Sequence, residues 1–382
     1  MRTPSRLAVA AAAALAATAL FAAPALAAPD RANADAPVAN HPTSAVFVQT
    51  DGLAGNAVVA YDRATDGSLH PAGTYPTGGV GGALAGSVVD HLASQGSLVY
   101  DRGLLYAVNA GSNTITVFAV RGDRLFRLEV LPSGGSFPVS VTAHSGLVYV
   151  LNARTGGTVQ GYLRVGDFLV RVPAWNRALG LDPTQTPEFT HTPGQVAFTP
   201  DGSQLVVTTK GNGSAIDVFA VGRFGTLSAQ PVVTPEPGAV PFAVTFDSAG
   251  HLVVAEAGTN AVATFAIQPN GAVTPITTAL TGQAATCWIV RDGSAFYASN
   301  AGSATLSGYT DAGSGTLTAL GTTSTGPGTV DAAVSSDGRF LYAQTGGNGG
   351  VDAFRVNPDG SLTLVGSVVV PGAVGGQGIA AL

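Results

Sequence analysis

Cysteine is nearly absent from this chain: Cys287 is the only one in 382 residues. No intrachain disulfide can form, so the fold must hold by packing alone. Cys287 lies in the apolar run Thr286-Cys287-Trp288-Ile289-Val290, without a neighbouring His or cation to lower its pKa, and reads as a buried structural thiol. Charge is scarce too. Asp, Glu, Lys and Arg make up 10% of the sequence, against roughly 25% in an average protein, which argues against long surface helices. The net charge of −6 is spread out, with no Lys/Arg cluster, so nucleic acid is not an expected partner. Beyond Phe21 no apolar run is long enough to span a bilayer. HExxH, EF-hand loops, Cys/His metal spacings and a Gly-x-Ser-x-Gly elbow are all missing. No metal and no cofactor are therefore expected.

What is present begins with Met-Arg-Thr-Pro-Ser-Arg, an Ala/Leu/Val run from Leu7 to Phe21, and Ala25-Leu26-Ala27. A basic start, a short apolar stretch and a small-residue cleavage site predict a secretory signal peptide over 1–27. Residues 28–43, rich in Ala, Pro, Asn and Asp, read as a disordered lead-in. The mature protein is expected outside the cell, as a monomer with no membrane attachment.

From residue 44 to 382 the chain repeats. Segments ending in an aromatic recur at Tyr61 (AVVAY), Phe118 (TITVF), Tyr162 (TVQGY), Phe219 (AIDVF), Phe265 (AVATF), Tyr309 (TLSGY) and Phe354 (GVDAF). Each is followed, after a Gly-containing turn, by an aliphatic residue: Leu69, Leu125, Leu169, Leu227, Val273, Leu317 or Leu362. Asp66-Gly67, Asn270-Gly271 and Asp359-Gly360 are hairpin turn signals. Ahead of each aromatic lies a second strand: AVFVQT, LLYAVN, LVYVLN, QLVVTT, HLVVAE, AFYASN and FLYAQT. Four antiparallel strands repeated seven times, about 45 residues apart, predict an all-β, seven-bladed β-propeller. Six inner strands precede the second strands, and the N-terminal blade has none. The C-terminal Gly378-Ile379-Ala380-Ala381-Leu382 has the inner-strand pattern. It is expected to complete that first blade and close the ring, removing the open edge.

The aromatics are 44 to 46 residues apart except for two intervals of 57, which contain insertions at 78–95 and 171–194. Both connect an outer strand to the next inner strand, on the face where a propeller channel opens. Long connections in a compact repeat are where a site is sought. The second carries Trp175, Arg177, Asp182, Glu188 and His191; the first carries Asp90 and His91. An aromatic, a cation, a carboxylate and an imidazole suit a small anionic or carbohydrate-like ligand. His191 or Glu188 is the natural general base and Arg177 the oxyanion partner. A plain capping loop accounts for the same residues. The channel wall offers further polar groups, among them Gln195, Asp331 and Gln377. Glu256 is an acid on the otherwise apolar LVVAE strand, a place that Lys210 holds one blade earlier.

Copies such as LLYAVNAGSNTITVFAV and QVAFTPDGSQLVVTTKGNGSAIDVFAV resemble the lactonase family of seven-bladed propellers. That family groups bacterial 6-phosphogluconolactonase with the fungal carboxymuconate-cyclising enzyme, beside YVTN-type surface repeats. The resemblance implies the fold and, as an activity, opening or closing of a small lactone. The histidine it implies before the fourth inner strand is displaced here to His191, within Thr190-His191-Thr192-Pro193. Where it implies an arginine, Pro241 is followed by Phe242. The implied glutamate position is Ala257, with Glu256 one residue earlier. A lactonase with His191, Glu256 and Arg177 as catalytic residues, converging at the channel mouth, is one expectation. Trp175, Glu188, His91, Gln195, Asp331 and Gln377 would then contact the ligand. The other is a non-catalytic extracellular propeller that binds a small molecule, glycan or protein on its loop face.

Overall fold

Runs such as LVVAE and QLVVTT are buried along their whole length. Such runs need cover on both faces, and a radial sheet pressed between two neighbouring sheets supplies it. The computed structural model describes residues 44–382 and shows that arrangement, so the leader and lead-in expected over 1–43 lie outside the described residues. Seven four-stranded antiparallel sheets form the ring. The first has the order Ile379–Ala381, Ala45–Gln49, Ala57–Arg63, Leu69–Pro76, from channel to rim. Closure by the C-terminus is as expected: Val46, Phe47 and Val48 pair with Ala381, Ala380 and Ile379.

The repeated aromatics do the packing. All seven, from Tyr61 to Phe354, are at most 3% exposed, and truncating one to Ala should cost about 3–5 kcal/mol. In six blades the third strand and outer strand slip register at or beside this residue, as between Ala60 and Tyr61. The bulge adds local twist where the ring side chain turns inward. Blade four lacks it because its outer strand is only Val232–Pro235.

A second device joins neighbouring blades. Tyr297 donates its hydroxyl to Gly360 O at 2.8 Å, and Tyr342 donates to Gly67 O at 3.0 Å, each reaching the outer hairpin of the next blade. Tyr149 does the same to Gly225 O. Gly67 has φ +95, and a Cβ there would overlap the Phe340 ring at 2.2 Å, so no other residue fits.

Candidate functional site

The two insertions have opposite fates. The first turns inward. Leu84, Leu92, Ala93 and Ser94 are at most 4% exposed, and residues 90–95 lie across the channel on the loop face. Ser94 donates its hydroxyl to Val139 O of blade three at 2.9 Å and to Gln377 Oε1 at 3.2 Å. Trp288 of blade six donates its indole N–H to Ser94 O at 2.6 Å. The Gln95 amide both gives to and receives from Ile289, each at 2.9 Å. Lys210 of blade four donates to Ala93 O. Side chains from several blades therefore hold this segment over the channel as a strap.

Beneath it the polar wall is engaged internally. Gln195 accepts from Val244 N at 2.6 Å. Gln377 donates from its backbone N to Asp51 Oδ2 at 2.8 Å and from its amide to Asp331 Oδ2 at 3.2 Å. Asp51 also receives the Gln49 amide at 2.5 Å. Burial pushes the Asp51 carboxyl up to about 8 and Asp331 up to about 7. Asp90 accepts from Leu92 N at 2.9 Å and Ser94 N at 3.1 Å. Burial raises the Asp90 pKa and lowers that of Lys210, and the attraction between the two opposes both shifts. Cys287 shares this space, its thiol pushed up to about 12 by burial. His91 donates its backbone N–H to Gly375 O at 2.8 Å and packs its ring against Gly375. Its Nδ1 is buried without a partner, and burial lowers its pKa. The residues expected to meet a ligand at an open channel mouth, Gln195, Asp331, Gln377 and His91, instead belong to the closed wall and its rim.

The second insertion stays at the edge and is shorter than expected. Residues 171–178 are not inserted: they extend the outer strand Phe168–Ala178. Trp175 and Arg177 are therefore on the rim of blade three. Trp175 stacks on Tyr149 at 6.3 Å between ring centroids. Arg177 donates to the carbonyls of Ala174, Asn176, Leu227 and Ser228 at 2.6–3.0 Å, sewing blade three to blade four. Glu256 lies on blade five, buried, accepting the Thr259 hydroxyl at 2.9 Å, with its pKa raised by burial. No hydrogen bond or ion pair among the described residues joins His191, Arg177 and Glu256, so the expected three-residue constellation is corrected: an aligned outer strand carries Arg177 away.

What the excursion over 179–192 does form is a cleft with the loop that follows Leu147–Asn152. It measures about 40 Å³, opens to solvent, and is lined by Arg154, Asp182, Glu188, His191, Thr192 and Asn212 among others. Glu188 opens a single helical turn, Glu188–His191. Arg154 grips its carboxylate with two bonds of 2.6 and 3.0 Å, holding Glu188 below the usual carboxylate range. Ala85 N adds a third bond at 2.7 Å. Glu188 is thus a fixed anion tying the two insertions together, not a base. His191 Nδ1 lies 2.9 Å from Pro187 O. Nδ1 lies equally 2.9 Å from Thr190 Oγ1, and in the tautomer that donates Nδ1–H to Pro187 O the lone pair is on Nε2. A Cβ at Gly211 would come within 3.2 Å of Nε2, so the glycine leaves room for the ring. Thr192 beside it is 6% exposed, its hydroxyl without a partner. Arg154 lies over the Phe137 ring at 4.2 Å, and its Nη1 makes no bond among the described residues.

Arg154, Asp51 and Trp288 were not among the candidate residues, and Lys210 was named only as the counterpart of Glu256 one blade earlier. Lys210 had one signal, a cation ending an apolar strand. Arg154 had only its place in a second-to-third-strand loop, which shares the face of the insertions.

Fold and cleft together define a closed seven-bladed propeller whose channel is covered on one face by residues 90–95, with a small polar cleft beside it. No family model matches the sequence, and no curated protein matches it. Solved structures do. A candidate 6-phosphogluconolactonase from Bacteroides fragilis superposes with a TM-score of 0.67 at 18% identity, covering 88% of this chain and 97% of its own. The periplasmic gluconolactonase of Pseudomonas aeruginosa gives 0.66 at 19%, covering 88% and 98%. Virginiamycin B lyase from Staphylococcus aureus gives 0.54 at 16%, covering 76% and 89%. The neighbours thus include the lactonase-type propellers that the repeats resemble. At these identities the likeness shows the fold, and the lyase shows that one fold carries more than one chemistry.

Proposed function

We propose that the protein is a lactonase-type propeller that hydrolyses a small lactone at the cleft between 179–192 and Arg154. The observation that carries the reading is that His191 and the Glu188-bound Arg154 line one small cleft. In the tautomer with Nδ1–H bonded to Pro187 O, Nε2 takes a proton from an attacking water. Water oxygen adds to the lactone carbonyl as its proton passes to Nε2. The imidazolium then returns that proton to the ring oxygen as the C–O bond breaks, giving the hydroxy acid. Arg154 Nη1 is the donor available to the developing oxyanion. Glu188 balances and orients the guanidinium. A cleft of this size takes the ester end of a small ligand and offers no groove for a long acyl chain.

The test is a panel of small lactones assayed with the wild type and His191→Ala. Loss of the base should lower kcat/KM by about 10²–10⁴-fold. Equal rates would end this assignment. A second reading has its own support in the closed channel: a non-catalytic propeller that binds a small or carbohydrate-like ligand at the same cleft. Saturable binding without turnover, weakened by Arg154→Ala, would favour it. Export is part of the proposal and rests on the leader pattern alone. N-terminal sequencing of the mature protein should begin at Ala28.

A further inference from the structure

The antiparallel order of each blade puts its inner-to-second and third-to-outer turns at one end, opposite the two insertions and the cleft. At that end the blades differ. Between the third and outer strands, blades one, five, six and seven read ATDGS, QPNGA, DAGSGTL and NPDGS, with no arginine and no aromatic. Three of the four carry an aspartate, and Arg63 beside the first is buried and paired with Asp337. The same turns of blades two, three and four contain RGDR, VGDF and GRFG. Residues 97–178 hold eight arginines against four acids, although the whole chain carries −6. Three neighbouring turns are thus basic and apolar on a chain that is acidic elsewhere.

Arg121 and Arg124 stand directly opposite each other across the blade-two hairpin. Both are exposed, and neither makes an ion pair among the described residues, not even with Asp123 in the turn between them. Like charges in that register repel, and a bound anion would relieve them. Val165 and Phe168 form the matching pair of blade three, 55% and 53% exposed. Phe224 of blade four is 77% exposed, with the Arg223 guanidinium 5.5 Å from its ring centre. The turns are also fixed to one another. Arg164 donates to the Asp101 and Arg102 carbonyls of blade two at 3.3 and 3.2 Å. Leu169 N donates to Glu129 at 2.6 Å, and Tyr149 holds Gly225 O. The surface is therefore preformed.

We propose that this end of blades two to four docks on a membrane surface rich in anionic phospholipid. Arg121, Arg124 and Arg223 would meet the phosphates, and Val165, Phe168 and Phe224 would enter the headgroup boundary. Arginines alone would suit any polyanion. Exposed phenylalanines beside them favour lipid, because an acidic polysaccharide offers their rings little to bury in and a bilayer interface does. The expectation of no membrane attachment came from the lack of a spanning run. No helix among the described residues is long and apolar enough to cross a membrane, and peripheral docking needs none. The cleft of Arg154 and His191 lies at the other end of the ring, so docking and the lactonase reading stand or fall separately.

The test is co-sedimentation of the whole chain with vesicles of equal phosphatidylglycerol and phosphatidylcholine, against pure phosphatidylcholine. The apolar run 7–21, where retained, is common to every variant and enters both vesicles, so the difference between them is read. At low salt the mixed vesicles should bind at least about tenfold more protein, and the excess should vanish in ~0.5 M salt. Arg121→Ser with Arg124→Ser should weaken binding about 25-fold, near fivefold for each arginine. Phe168→Ser with Phe224→Ser should weaken it by about tenfold or more. All four side chains are exposed, so the far-UV signal of both variants should match the wild type. Phe224→Trp adds a reporter at the turn, whose emission, read as a difference from wild type, should shift to the blue on mixed vesicles only. Equal binding to both vesicles would overturn the proposal, as would wild-type binding by the phenylalanine pair variant. Retention on polygalacturonate without the blue shift would give the surface to an acidic polysaccharide instead. A salt-sensitive dimer without vesicle binding would give it to a second copy of the chain, and either result overturns the lipid assignment.

Discussion

The two insertions stretch the repeat by the same amount, to 57 residues between aromatics, and end in opposite environments. Residues 78–95 contribute Leu84 and Leu92 to the buried core and cross the channel. In residues 182–187 every side chain is exposed. Composition separates them. The first reads GGVGGALAGSVVDHLASQ, small and apolar, and can enter a confined channel. The second, once the outer strand has claimed 171–178, reads LGLDPTQTPEFTHT, polar and bounded by prolines. Burying one leucine is worth about 1.5–3 kcal/mol, and the second excursion buries only parts of Leu179 and Phe189 against the same core. Insertion length therefore says that something lies outside the blade pattern, and polarity says on which side of the wall it settles.

The comparison can be broken at several points. Leu92→Ala should destabilise by about 2–5 kcal/mol as a core truncation, and Leu181→Ala by less than about 1 kcal/mol, measured by denaturant unfolding. Equal costs would mean the strap is no more part of the core than the rim excursion. Lys210→Met should cost on the order of 2 kcal/mol, because it strips Asp90 of its counter-charge and leaves Ala93 O unpaired. Arg154→Met, whose ion pair is partly exposed, should cost about 1 kcal/mol or less.

The pH dependence follows from the channel acids. Asp51 and Asp331 keep their protons to about 8 and 7 in the fold, whereas in the unfolded chain they lose them near 4. Between about pH 4 and 8 the folded state binds more protons, so their contribution to stability falls as pH rises through that window. Lys210, shifted down, opposes this only above its folded pKa, where stability from that group recovers toward its unfolded value. Thermal unfolding should therefore occur several degrees lower at pH 8 than at pH 5.5, and Asp331→Asn should flatten the difference. A midpoint that rises over this window would contradict the protonated channel. Arg177→Lys carries the smallest effect. It loosens the seam between blades three and four and should leave ligand binding at the cleft unchanged within about twofold, by titration calorimetry.

Much of the ring was legible because its signals are local and repeated. Seven aromatics at matching positions, turn residues after them and an orphan C-terminal strand each bear on a few neighbouring residues, and agreement between copies reinforces them. The site was legible only in part. His191 and Glu188 do line one cleft, but Arg177 was assigned to an insertion that proves to be strand. A long outer strand and the start of a loop share the same polar composition, since one strand face is exposed anyway. Arg154 went unnoticed because its partner Glu188 is 34 residues away, across a blade, and no short pattern spans that distance.

The sequence by itself determined the fold class, the number of blades and the strand that closes the ring, because alternation, turn chemistry and repetition depend on near neighbours. Only the tertiary structure decided that residues 90–95 cover one mouth of the channel, that Asp90 meets Lys210 there, and that the cleft belongs to Arg154 and His191. Those are meetings between residues brought from different blades. Ring geometry sets their distances and burial, and burial rather than residue type sets their charge.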